Sequence, residues 1–261
     1  MEGQSMANYI QALSLTGVLV LSAGNTLANE YTEKEAFEWE TSIGLGYFVS
    51  QTPYIGSQQE SEITPYLSIS WGPLFFDGES LGAYLYGEDS WGISASISSD
   101  SLGDSDRGDS KALADMTKLS DVVVMNLTFE QEASWGAIEA TLTTDVSSKH
   151  KGNLASLSYS YPVYLEDWSL MPLVGAQWFD KKSAAYYYGV KAEDVTASRA
   201  LYTPDSGINY AAGINAEYEL NSHNSIGLSL ITTFYSDEIK QSSIADKSHN
   251  TSFGLLYSYM F

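Results

Sequence analysis

From residue 37 onward the chain is written in a period of two. Trp39, Thr41, Ile43, Leu45 and Tyr47 alternate with Glu40, Ser42, Gly44 and Gly46. Trp91, Ile93, Ala95 and Ile97 alternate with Gly92, Ser94, Ser96 and Ser98, and Ile208, Tyr210, Ala212, Ile214 and Ala216 face away from Asn209, Gly213, Asn215 and Glu217. Successive side chains of a strand point to opposite faces, so this pattern predicts strands with one apolar and one small, polar face. No window carries a comparable helical period. The predicted strands are 37–49, 62–71, 73–77, 81–87, 90–99, 120–131, 134–147, 151–162, 167–179, 207–220, 224–237 and 249–261. Tyr and Trp gather near strand ends, as in the aromatic girdles of a barrel whose apolar face meets lipid. The fold class that follows is all-β: a single antiparallel transmembrane β-barrel of about twelve strands, with ten as the alternative. Tight turns are expected at Gly72, Glu88-Asp89, Ala133, Leu165-Glu166 and Asn221-Ser222. Long connections are expected at 51–61, 100–119, 180–206 and 238–248. The weak place is 73–87, where the strands fall short of the roughly 9–11 residues that span a bilayer. The stretch reads either as two short strands about the Asp77-Gly78 turn or as one bulged strand, and the second choice leaves eleven strands unless Tyr186–Val190 supplies another.

The beginning of the chain departs from the alternation. Tyr9–Ala23 is apolar but short, and Thr26-Leu27-Ala28 supplies a small-x-small pattern. Residues 1–28 therefore read as a secretory signal peptide, although no Lys or Arg precedes Lys34. The remaining 29–261 read as one outer-membrane barrel. The net charge of −21 makes a nucleic-acid partner unfavourable, because like charges repel phosphate. The absence of cysteine excludes thiol catalysis and disulfide scaffolding.

The last thirteen residues put Phe253, Leu255, Tyr257, Tyr259 and Phe261 on one face, with Leu256 and Met260 as exceptions on the other. This closing pattern resembles the C-terminal signature of bacterial outer-membrane barrels. The resemblance implies that Tyr257, Tyr259 and Phe261 are read by the barrel-assembly machinery. Gly44-Leu45-Gly46, then Pro53-Tyr54-Ile55-Gly56-Ser57, Phe75-Phe76, Tyr187-Tyr188-Gly189-Val190 and Tyr202-Thr203-Pro204 occur in an order and spacing similar to the MipA/OmpV family. That resemblance implies a Gram-negative outer-membrane protein without catalytic residues. It implies a scaffold joining a lytic murein transglycosylase to a murein synthase, in surroundings of lipid and lipopolysaccharide. Pro53, Tyr54, Gly56, Ser57, Tyr188, Gly189, Tyr202 and Pro204 are then the candidate partner loops, or else residues that merely shape turns. A narrow solute channel is the alternative function and a surface adhesin the second.

Candidate chemistry is sparse. His150, His223 and His249 stand at expected turns or strand ends, outside any metal or triad spacing, and read as solvated. No cofactor or metal is expected. The acidic loop 104–109 reads as solvated, and Arg107-Gly108-Asp109 within it spells an integrin-type tripeptide, a weak adhesion candidate.

Overall fold

The computed structural model describes residues 39–261. The expected signal peptide, residues 1–28, lies outside the described residues. The strands are β1 (Trp39–Ser50), β2 (Glu60–Trp71), β3 (Leu74–Phe76), β4 (Leu81–Glu88), β5 (Trp91–Ser99), β6 (Val123–Ala133) and β7 (Gly136–Asp145). They continue as β8 (Asn153–Ser160), β9 (Val163–Leu165), β10 (Trp168–Phe179), β11 (Gly207–Asn221), β12 (Asn224–Phe234) and β13 (His249–Met260). Every neighbouring pair is antiparallel, and β13 closes on β1 with Ser42 opposite Met260 and Val49 opposite Phe253. β8 and β9 both pair with β10, on either side of Tyr161-Pro162, so they are two lengths of one stave. The thirteen-stranded sheet is therefore a closed barrel of twelve staves, as the alternation predicts.

Outward positions are apolar and exposed: Leu45 is 54% exposed, and Leu157, Val174 and Leu230 are similar. A soluble protein does not surround itself with such a belt, whereas hydrocarbon favours it. Inward positions are small and polar, and they bond across strands. Thr128 and Thr141 hydroxyls lie 3.0 Å apart, Asn126 Nδ2 donates to Ser98 Oγ at 3.0 Å, and Thr143 Oγ1 donates to Asn126 Oδ1 at 2.8 Å. Leu256, an exception to the alternation, points inward and is buried.

One end of the barrel is trimmed to two-residue turns: 72–73, 89–90, 134–135, 166–167 and 222–223. Aromatic pairs ring this end, including Trp39–Trp71 at 5.6 Å, Trp135–Tyr159 at 6.3 Å and Trp168–Tyr218 at 4.9 Å. Rings with a polar edge favour the headgroup level, so they fix the depth of this rim. The other end carries the connections 51–59, 100–122, 146–152, 180–206 and 235–248. The additional strand considered at Tyr186–Val190 does not form. Lys181–Tyr188 is instead a helix, α1, because the Asp180 carboxylate caps it by accepting from Lys182 and Ser183 N–H groups at 3.0 and 2.9 Å. A second short helix, α2, spans Asp237–Lys240.

The shortfall anticipated at 73–87 is a feature of the wall. β3 stops at Phe76, opposite Ile69, and the chain turns back through Asp77–Ser80. Glu60–Ser68 of β2 therefore pairs with β1 on one side and, among the described residues, with no strand on the other. Pro65 sits in this stretch, and proline suits an edge because it has no N–H to donate.

Candidate functional site

The long connections fold inward over the barrel mouth as a cap. Its dry centre is built from Tyr54, Leu102, Leu113, Met116, Tyr187, Tyr188, Ile239 and Ile244 together with the inward tops of β6, β8 and β10. The motif residues singled out in the sequence meet here. Tyr54 (0% exposed) and Tyr188 (1% exposed) stack with ring centres 5.5 Å apart. The Tyr54 hydroxyl donates to the carbonyls of Asp104 and Tyr187, and the Tyr188 hydroxyl to that of Leu102 at 2.8 Å. Burial pushes both phenols far above the usual tyrosine range, so each remains a neutral donor.

The remaining motif residues hold this centre in place. Lys247 Nζ donates to Ser57 Oγ at 2.9 Å and to the Tyr54 carbonyl. Tyr202 bridges to Val190 and donates its hydroxyl to the Glu238 carbonyl at 2.8 Å. Pro204 is buried beside this bridge. Gly56 has a φ of +69°, which L residues rarely adopt. Gly189 ends α1 where a Cβ would collide with the Ala185 carbonyl. Tyr54 and Tyr188 are wholly interior and form part of the packed centre of the cap.

Arg107, Gly108 and Asp109 are three consecutive residues of positive φ in a tight turn of the cap. Arg107 is only 7% exposed and its Nη2 donates to the Thr117 carbonyl at 3.1 Å, so the guanidinium is not offered outward as a receptor would need. Tyr259 and Phe261 lie at the turn end of the wall, and Tyr257, opposite Leu45 of β1, stands further in. Tyr257 and Phe261 point outward, and the Phe261 N–H donates to the Thr41 carbonyl at 3.0 Å.

His150 corrects the expectation of a solvated histidine; His223 and His249 are exposed as expected. His150 lies buried between the wall and α1. Its Nδ1 accepts from the Gly152 N–H at 2.8 Å, so the ring proton sits on Nε2 and is donated to Asp100 Oδ2 at 2.7 Å. The Ser183 hydroxyl is 3.4 Å from Nδ1. The order Ser–His–Asp looks like a catalytic relay. Yet Ser183 is fully buried and the Nδ1 lone pair is already used by a backbone N–H, so no free base faces the hydroxyl. The group locks loop 100–122 and α1 to the wall. Sequence spacing could not show it, because Asp100, His150 and Ser183 come from three separate connections.

Arg199 ties the cap's outer edge. It holds Asp115 in a bidentate pair at 3.0 and 2.7 Å and donates to the Asp194 carbonyl at 2.6 Å. The guanidinium holds the Asp115 carboxyl below the usual carboxylate range. A depressed carboxyl contributes stability that is full above its ordinary pKa and is lost as pH falls through the depressed one. Hydrogen-exchange protection in 191–199, taken relative to the intrinsic exchange rate at each pH, is therefore expected to be higher at pH 7 than at pH 3, by a modest factor because Asp115 is exposed. Asp115→Asn should abolish the difference.

Two cavities lie beneath the cap. One, of about 330 Å³, is bordered by Glu60, Asp104, Asp121, Tyr187 and Tyr188. The other, of about 430 Å³, is bordered by Glu79, Glu139, Ser96, Ser98, Asn126 and Thr141. Ser99–Ser101 and Gln177 form their shared border, with Gln177 Nε2 donating to Ser101 Oγ at 3.1 Å. Among the described residues that line either cavity, none is Lys or Arg. All eleven described basic residues, from Arg107 to Lys247, lie in the connections of the capped end.

The family model described as MltA-interacting protein MipA matches residues 43–261. The putative outer membrane protein YiaT of Escherichia coli K12 is 24% identical over 225 residues, covering 85% of this chain and 91% of YiaT. The MltA-interacting protein of the same organism is 23% identical over 250 residues, covering 94% of this chain and all of the relative. Outer membrane protein OmpV of Vibrio cholerae is 23% identical over 156 residues, covering 60% of this chain and 61% of OmpV. Among solved structures, an outer membrane channel from Pseudomonas putida F1 aligns with a TM-score of 0.45 at 13% identity, over 89% of this chain and 98% of that one.

Proposed function

The chain belongs to the MipA family of Gram-negative outer-membrane β-barrels, and on that footing we propose that it is a non-enzymatic scaffold. It docks murein-remodelling enzymes, a lytic transglycosylase and a murein synthase, on its periplasmic rim. The observation that carries this reading is the separation of charge along the barrel axis. Short turns belong to the periplasmic side of such barrels and long connections to the outside. Every described Lys and Arg is then outside, where lipopolysaccharide phosphates offer them partners. The periplasmic rim holds Glu40, Glu88, Asp89, Glu132, Glu166, Asp167 and Glu219 with no described base among them. Such a rim attracts a basic face and raises its rate of encounter, more so at low salt. Two-residue turns make this rim flat. A standard interface of roughly 800 Å² per partner must therefore spread across several turns rather than grip one loop.

The test is affinity capture from detergent-solubilised envelopes with the mature protein as bait. Murein synthases and lytic transglycosylases are expected in the eluate. Neutralising the rim with Glu88→Gln, Asp89→Asn, Glu166→Gln and Asp167→Asn should deplete them at low salt. Recovery of only lipopolysaccharide and abundant porins would contradict the scaffold. The polar lumen favours a second reading, a narrow channel. Discrete single-channel steps from the intact, capped protein in a planar bilayer would support it.

A further inference from the structure

The larger cavity lies beside the break in the wall. Asp77–Ser80, where the chain turns back between β3 and β4, forms the sill of that break, and Gly78, Glu79 and Ser80 also border the cavity. Above the sill one jamb is the edge Glu60–Ser68 of β2, which among the described residues has no neighbouring strand on that side and is exposed through Pro65 on both its faces. The other is the top of β5, where Ser98 and Ser99 extend past the last residue paired with β4. The apolar side chains of Ile63, Leu67, Leu81 and Ile97 stand outward around the opening, against the bilayer. The direct route from outside is occupied by the cap and its dry centre.

The interior of this cavity has a definite chemical sign. Glu79 is exposed at the sill. Deeper in, Glu139 is enclosed and its Oε2 has no hydrogen-bond partner among the described residues. Glu130 stands directly opposite Glu139 across the β6–β7 pair, and both face inward. Ser96, Ser98, Asn126, Thr128 and Thr141 add hydroxyl and amide groups but no positive charge. A buried carboxylate oxygen left without a donor is costly, and a ligand ammonium supplies both a donor and an opposite charge.

We propose that this cavity binds amine-bearing amphiphiles that enter sideways from the bilayer. The ammonium reaches Glu139 past Glu79, and the hydrocarbon tail lies through the break between β2 and β5. The acidic polar interior selects the head, and the membrane side of the opening accommodates the tail.

The test is native mass spectrometry of the mature protein, extracted in mild detergent and incubated with dodecylamine, dodecanoate or butane-1,4-diamine. Dodecylamine is expected to give one stoichiometric adduct, at least about tenfold tighter than either other probe. Glu139→Gln should reduce that adduct by about tenfold or more, as should Ser98→Trp, which narrows the opening. Heat-modifiable migration on gels verifies that each variant is folded, and Glu79→Gln substitutes for Glu139→Gln if the latter does not assemble. Equal retention of dodecylamine and dodecanoate would overturn the proposal, as would unchanged binding in the folded variants. Diamine binding as tight as dodecylamine would overturn lateral entry. None of these outcomes bears on capture of murein enzymes at the rim.

Discussion

Leu45→Arg is expected to destabilise the barrel by about 2–4 kcal/mol, measured as denaturant unfolding in phospholipid vesicles. Leu45 lies at the middle of β1, opposite Pro65 on one side and Tyr257 on the other, with its side chain outward. An arginine there must carry its charge into hydrocarbon or deform the bilayer around it. The cost depends on depth. Leu220 is equally outward but next to the 222–223 turn, at headgroup level. Leu220→Arg should cost about 0–1 kcal/mol. Equal effects at the two positions would mean that the outward belt does not sense a bilayer.

The second large effect belongs to the cap. Tyr188→Ala removes a fully buried ring, its stacking on Tyr54 and its bond to the Leu102 carbonyl. Truncations of this kind cost about 3–5 kcal/mol. That energy supports the cap more than the wall, whose hydrogen bonds run strand to strand, so the expected result is local opening. Limited proteolysis should begin to cut within 100–122 while the barrel keeps its heat-modifiable migration. Tyr188→Phe keeps the ring and loses only the hydroxyl bond, about 1 kcal/mol, and should stay protected. Continued protection in Tyr188→Ala would show that the aromatic pair does not hold the cap.

The wall was legible in the sequence because its physics is local. Each strand must show lipid one face and the lumen the other, and that requirement writes a period of two into every stave. Even the awkward stretch at 73–87 was visible as two strands too short to span, although its consequence, a break in the wall, needed the pairing of β2. The cap was not legible as a unit. Its centre is assembled from Tyr54, Leu113, Tyr188 and Ile239, which come from four connections with no shared periodicity. The motif residues marked the right places without showing that they converge. α1 escaped notice because eight residues are too few to establish a helical period, and its start is set by one side chain, Asp180. The burial of His150 is illegible in the sequence for a related reason. Turns are usually wet, and only the packing of α1 over this one excludes water. The inward carboxylates Glu130 and Glu139 were readable from strand parity. Their juxtaposition depended on register, which alternation alone leaves open.

Because the chain has no cysteine, a single nitroxide can be placed at will. Spin labels at Leu45→Cys and Ser229→Cys, in the protein reconstituted into bilayers, compare the outward face with the lumen. At Leu45 collisions with oxygen, which concentrates in hydrocarbon, should far exceed those with a polar nickel chelate, and at Ser229 the balance should shift toward the chelate. A label at Leu45 that meets the chelate more often than oxygen would place water where lipid is required.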